Sequence, residues 1–226
     1  MSCPLVIGVT GGVGAGKSTA CAAFARLGTP IVDADECARA LVALGQPALA
    51  EIVALFGADC LRPDGTLDRP ALRRRIFPDP AARQSLEGIL HPRIRAACVA
   101  RIAVTAGPYL LLCLPLLVEC LADYRPLLQR ILVVDCPPAV QISRVAARDR
   151  LTGEEVEAMI CAQIGREDRL CAADDVIDNG GPLPDLERQV LALHRRYLAL
   201  APAFGEPNHP VRPSSTPRDG VPDDRP

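Results

Sequence analysis

Leu5-Val6-Ile7-Gly8-Val9-Thr10 followed by Gly11-Gly12-Val13-Gly14-Ala15-Gly16-Lys17-Ser18-Thr19 decides how the rest of this chain is read. The first six residues form a short apolar run with β-branched members, as in a buried strand. From Gly11 the chain matches G-x-x-x-x-G-K-[ST] at every fixed position, and from Ser18 to Leu27 it reads as a helix closed by Gly28. Strand, glycine-rich loop and helix in that order aim backbone N–H groups and a helix N-terminus at an anion. The pattern is a phosphate loop of residues Gly12, Val13, Gly14, Ala15, Gly16, Lys17, Ser18 and Thr19. Lys17 is placed to reach β- and γ-phosphates, and the Ser18 hydroxyl to ligate Mg²⁺.

Of the 25 Lys and Arg residues, only Lys17 is a lysine. A composition that uses arginine everywhere else marks this as a place where a compact ammonium is required and a planar guanidinium does not fit.

Outward from the loop, four more apolar stretches alternate with helical patterns: Pro30 to Asp33, Tyr109 to Leu114, Arg130 to Asp135 and Asp175 to Ile177. Alternation of this kind predicts a parallel sheet covered on both faces, with ligands at the C-terminal strand ends. Roughly 70 residues separate the second and third strands, far more than one crossover helix needs. Helical patterns run there from Glu36 to Leu44 and Pro80 to Ala106, and Pro92 is expected to kink or divide the longer one. A charged helical stretch from Pro138 to Ala173 places Arg144 and Arg148 on one face and reads as a mobile lid. Residues 204–226 are rich in Pro, Ser, Asp and Arg without apolar period, which reads as a disordered tail, and His209 within it is excluded from any site.

A formal net charge of −2, 3% aromatic residues and no Trp argue against a nucleic-acid surface. No apolar run approaches the ~20 residues of a membrane span, and no signal segment is evident, so the expectation is a cytoplasmic, monomeric protein. The ten cysteines form no C-x-x-C pair and are expected to be reduced core residues.

Asp33-Ala34-Asp35 follows the second strand, beside the phosphate loop. One carboxylate can serve as general base toward an acceptor hydroxyl, while the other orients metal-bound water or caps the next helix. An arginine on the lid could close over a transferring phosphate.

The P-loop, Asp33-Ala34-Asp35, Phe56-Gly57, Asp64-Gly65-x-Leu67-Asp68-Arg69, Leu90-His91-Pro92, Pro115-Leu116-Leu117-Val118-Glu119, Gln141-x-x-Arg144-x-x-x-Arg148-Asp149 and Ala173-Asp174-x-Val176-Ile177-x-Asn179 together resemble the dephospho-coenzyme A kinase family. The blocks follow the family's order over residues 5 to about 200. Val118 departs from a frequent aromatic, and Arg169 stands where lysine is common.

The resemblance implies an α/β, nucleoside-kinase-like three-layer fold with a five-stranded parallel sheet. The nucleotide-binding core would span residues 1–35, 104–141 and 173–203, the helical coenzyme A-binding insertion 36–103 and the lid 142–172. It implies Mg²⁺-dependent transfer of the γ-phosphate of ATP to the 3′-hydroxyl of dephospho-coenzyme A. Asp35 then resembles the base, Arg144 the lid arginine on the transferring phosphate and Arg148 a further nucleotide ligand. Asn179 and Gly180 would lie near adenine, and Asp33, Asp35, Arg69 and His91 on the acceptor side. A kinase for a nucleoside monophosphate, shikimate or gluconate, and a non-catalytic ATP-binding regulator, are the alternatives. The long insertion with Leu90-His91-Pro92, together with Asp35 at the second strand, weighs against the other kinases, and the absence of an N-K-x-D guanine signature weighs against a GTP-binding switch.

Overall fold

A computed structural model describes residues 4–204. The chain runs β1 (Leu5–Thr10), α1 (Lys17–Arg26), β2 (Ile31–Asp33), α2 (Ala34–Leu41), α3 (Pro47–Phe56), α4 (Arg69–Ile76), α5 (Pro80–Val104) and β3 (Tyr109–Cys113). It continues α6 (Leu121–Tyr124), β4 (Arg130–Asp135), α7 (Pro138–Asp149), α8 (Gly153–Cys161), α9 (Arg166–Cys171), β5 (Asp175–Asp178) and α10 (Leu183–Phe204). The five strands are all parallel, in the order β2-β3-β1-β4-β5.

Period-two alternation divides the strand side chains between two cores. Leu5, Ile7, Val9, Tyr109, Leu111, Leu132 and Val134 face one layer with Phe24 of α1 and Tyr197 of α10. Val6, Leu110, Leu112, Ile131 and Val133 face the other with Cys37 of α2 and Cys98 of α5. Because both faces are covered, the central strands are apolar throughout, which is why they are legible as continuous runs.

The segment between β2 and β3 builds a third core of its own from Val42, Leu49, Ile52, Phe56, Cys60, Leu67, Leu72 and Leu86. Two of its helices, α3 and α4, are not anticipated from sequence, and each begins with proline at the first or second helical position. Proline is compatible there because its missing N–H has no intrahelical partner in any case.

Of the two roles expected for Pro92, division of the segment is excluded: α5 runs unbroken from Pro80 to Val104 with Pro92 inside it. The charged stretch from Pro138 to Ala173 is helical as read, in three helices, α7, α8 and α9. Arg150 ends α7 in the left-handed conformation (φ 58°), and Thr152 and Glu155 form a reciprocal capping box that starts α8. Of the nine described cysteines, all free, six are buried as expected, but Cys161 and Cys171 are exposed. The tail of residues 205–226 and its His209 lie outside the described residues.

Candidate active site

β1 delivers the chain to the sheet's C-terminal edge between β3 and β4, and the loop that follows must fold tightly back into α1. Gly14 (φ 74°) and Gly16 (φ 89°) supply left-handed backbone that side chains rarely adopt. At Gly11 a Cβ would lie 2.5 Å from the Val134 carbonyl oxygen of β4, so this loop can seat against the sheet only without a side chain. The Ala15 amide donates to Gly12 O at 3.0 Å, and α1 starts at Lys17 with no side-chain cap on its first amides. Those uncapped amides and the positive end of the helix are an anion site in waiting.

Lys17 projects from the first turn of α1 toward the end of β3. A hydrogen bond from Cys21 holds the Cys113 thiol below its ordinary value, with Lys17 adding to the effect, while Cys21 is pushed up by that same bond and by burial. Ser18 and Thr19 are exposed beside it. Among the described residues no cluster of three or more His, Cys, Asp or Glu side chains could hold a metal ion. The exposed Ser18 hydroxyl next to Lys17 is an oxygen donor of the kind that suits Mg²⁺ completed by phosphate oxygens and water.

Asn179, 5% exposed, donates from its side chain to Ala15 O at 2.7 Å, and its backbone amide donates to Asp135 O at 2.7 Å. It thereby ties the phosphate loop to the ends of β4 and β5. Gly16, Thr19, Arg144, Asn179, Gly181 and Leu183 line a cleft of about 220 Å³. Arg144 Nη1 is buried there without a hydrogen-bond partner. A buried guanidinium nitrogen left unmatched is costly, and this one lies beside Gly16 of the phosphate loop. Gly180 is next to this cleft but donates its amide to Asp178 Oδ1 (2.8 Å) and packs against Pro137.

Arg148, on the same helix as Arg144, does not join the cleft. It is exposed and forks onto Asp149 at 2.8 and 2.7 Å, an ion pair that holds the Asp149 carboxyl below the usual carboxylate range. Helical spacing alone could not separate the two arginines. The adjacent acidic residue at position 149 was the available signal.

Across the loop, Asp33 and Asp35 divide their work. Asp33 Oδ1 accepts from the Asp35 amide at 2.7 Å and caps α2, the use that sequence weighed as the plainer alternative. Asp35, exposed in the first turn of α2, lines a cavity of about 600 Å³ together with His91, Arg95, Leu114, Cys120 and Tyr124. The structure thus joins Asp35 to His91. Arg69 opens α4 on the surface, is not part of this cavity's lining, and its neighbour Asp68 caps that helix through the Ala71 amide at 3.0 Å. Arg95, one turn beyond His91, was missed from sequence; the i,i+4 spacing from His91 was the signal. Glu119, in the segment after β3, accepts the Ile164 amide at 3.2 Å.

A phosphate loop with its lysine, an unmatched arginine beside it and a free carboxylate facing a large acceptor cavity can carry phosphoryl transfer to a hydroxyl. Comparison with known proteins names the family: the dephospho-CoA kinase model matches residues 5–185. The chain belongs to the dephospho-CoA kinase family. Among curated relatives, the dephospho-CoA kinase of Methylococcus capsulatus is 50% identical over 88% of this chain and 100% of its own length. That of Thiobacillus denitrificans is 53% identical over 86% and 96%. A solved Thermus thermophilus protein superposes with TM-score 0.74 at 35% identity, covering 85% of this chain and 97% of that one. The dephospho-CoA kinase of Campylobacter jejuni, 23% identical, shares the fold with TM-score 0.59 over 87% and 98%. Family members thus match over most of the chain.

Proposed function

We infer that this protein transfers the γ-phosphate of ATP to the 3′-hydroxyl of dephospho-coenzyme A, giving coenzyme A and ADP. The observation that carries the reading is that Asp35, the carboxylate left free when Asp33 caps α2, lines a large cavity at the same C-terminal edge of the parallel sheet that carries the phosphate loop.

The loop amides and the N-terminus of α1 hold the β-phosphate, and Lys17 bears on the β- and γ-phosphates as a point charge. Arg144 offers its unmatched Nη1 to a phosphate oxygen as α7 and α8 settle over the nucleotide. Asn179 holds the loop in shape beneath adenosine. Asp35 accepts the proton of the ribose hydroxyl as that oxygen approaches phosphorus, with His91 and Arg95 contacting the acceptor further along the cavity. Bound Mg²⁺, held by Ser18 and phosphate oxygens, supplies neutralisation of phosphate charge. A cytoplasmic setting, where the described cysteines, all free, would stay thiols, completes the reading.

Coenzyme A formation from ATP and dephospho-coenzyme A, followed by mass spectrometry, tests the reading. Transfer to adenosine monophosphate or shikimate instead would replace the acceptor.

A further inference from the structure

Four arginines cluster on the lid helices and α9: Arg144, Arg148, Arg166 and Arg169. Two are neutralised. Arg148 forks onto Asp149, and Arg166 grips Asp135, at the end of β4, through contacts of 3.0, 3.0 and 2.6 Å. Arg169 differs from both. It is the one arginine counted as buried among the described residues, 6% exposed, and the ion pairs of those residues leave it without a carboxylate.

Its Nη2 donates to Ile164 O at 2.8 Å, which a buried cation accepts as partial compensation only. Its Nη1 comes to the phosphate loop: a Cβ placed on Gly12 would meet that nitrogen at 3.1 Å. Side chains from the same region close around this limb, with Gln163 Oε1 accepting the Val13 amide at 2.9 Å and Gln141 Nε2 3.0 Å from the same Gly12 position. A guanidinium buried against a glycine of an anion-binding loop, with no anion of its own, is arranged for an anion that arrives with the ligand.

Which phosphate it meets follows from the two limbs of the loop. Arg144 and its cleft lie at the helix limb, at Gly16, Thr19 and Asn179. Arg169 comes to the strand limb, at Gly12, and so would meet the transferring phosphate from a second side. We propose that Arg169 is a second arginine of the phosphate site and contacts the terminal phosphate of bound ATP, so that the protein selects the triphosphate over the diphosphate. The proposal rests on the nucleotide half of the function above and is independent of the acceptor. The Arg166 fork to Asp135 anchors α9 and so holds Arg169 in register with the loop.

The test is calorimetric titration of the full chain with ATP and with ADP, each with Mg²⁺ and without acceptor, for wild type, Arg169→Met and Arg169→Lys. Loss of a charge-assisted contact to the terminal phosphate predicts that Arg169→Met weakens ATP binding roughly tenfold or more. ADP binding stays within about twofold, because the diphosphate does not reach the residue. Equal weakening of both nucleotides, as a merely structural role predicts, or no change in either, overturns the assignment. If Arg169→Met does not fold, Arg169→Lys carries the test: it keeps the buried charge, loses the planar fork, and is expected to weaken ATP selectively. Equal weakening there is equally fatal. Selective loss of ATP binding supports the assignment even if wild type phosphorylates no dephospho-coenzyme A, so the two readings fail separately.

Discussion

The phosphate end of the site and the acceptor end are built by different means. At the phosphate end most of the work falls to backbone: uncapped amides of α1, glycines in left-handed conformation and a Gly11 pressed against β4. At the acceptor end the cavity is assembled from side chains of α2, α5, the segment after β3 and α6, each contributing three or four residues. Backbone sites tolerate almost no substitution at their few fixed positions. Side-chain sites spread their energy over many contacts and can be redrawn piecemeal.

That contrast orders the expected effects of mutation. The largest belongs to Lys17→Arg, which keeps the charge but replaces a compact ammonium by a planar group in a closed loop. A fall of about 10³-fold in kcat is expected from steady-state ADP release. Near-normal turnover would show that the single lysine is incidental.

At the boundary between the two ends, Asp35→Asn should lower kcat by roughly 10²-fold with ATP affinity little changed. Asp33→Asn should be mild, because asparagine caps a helix as well as aspartate does. Reversal of that order in parallel kinetic assays would exchange the roles of the two carboxylates.

Smaller still is Arg144→Ala, expected to lower kcat about tenfold, more than it weakens ATP binding, as the contact tightens on lid closure. Arg148→Ala should stay within about twofold of wild type, since an exposed ion pair to Asp149 contributes little. Comparable kcat losses in the two variants would contradict the distinction drawn from their partners.

The smallest effect concerns stability rather than turnover and reads the buried core. Burial pushes the Tyr109 and Tyr124 hydroxyls up to about 12, whereas unfolded tyrosine ionises near 10. Because the folded pKa is raised, this contribution to stability is fully present below about pH 10 and is lost as pH rises toward 12. Urea midpoints measured between pH 9 and about 11.5 should fall through that window, with phenolate absorbance appearing only on unfolding. Early ionisation in the folded protein would show these rings to be solvated.

The same contrast governs how much was legible beforehand. The buried strands were readable because residues such as Leu110, Leu111 and Leu112 are apolar on both faces, and β1 and β4 fall where their apolar runs begin and end. The loop was readable because each of its positions answers a steric demand. The helices α3 and α4 were hidden because they pack on a separate core whose partners lie up to about 40 residues apart, with no period strong enough to declare them. On the lid, the Thr152 and Glu155 capping box announced a break that the charge pattern obscured. Arg144, Arg148 and Arg169 look alike as letters. Their differences are matters of partner and burial: one has an unmatched nitrogen, one a carboxylate beside it, and one is enclosed against Gly12.

The central claim is that the carboxylate of Asp35 joins a phosphate loop to a coenzyme A acceptor cavity, and one assay meets it directly. Purified protein is incubated with ATP, Mg²⁺ and either dephospho-coenzyme A, adenosine monophosphate or shikimate, with ADP release and product mass recorded for wild type and Asp35→Asn. The account predicts coenzyme A from dephospho-coenzyme A alone, with the rate falling roughly 10²-fold in Asp35→Asn. Product from a control acceptor, or an Asp35→Asn protein as fast as wild type, would contradict it.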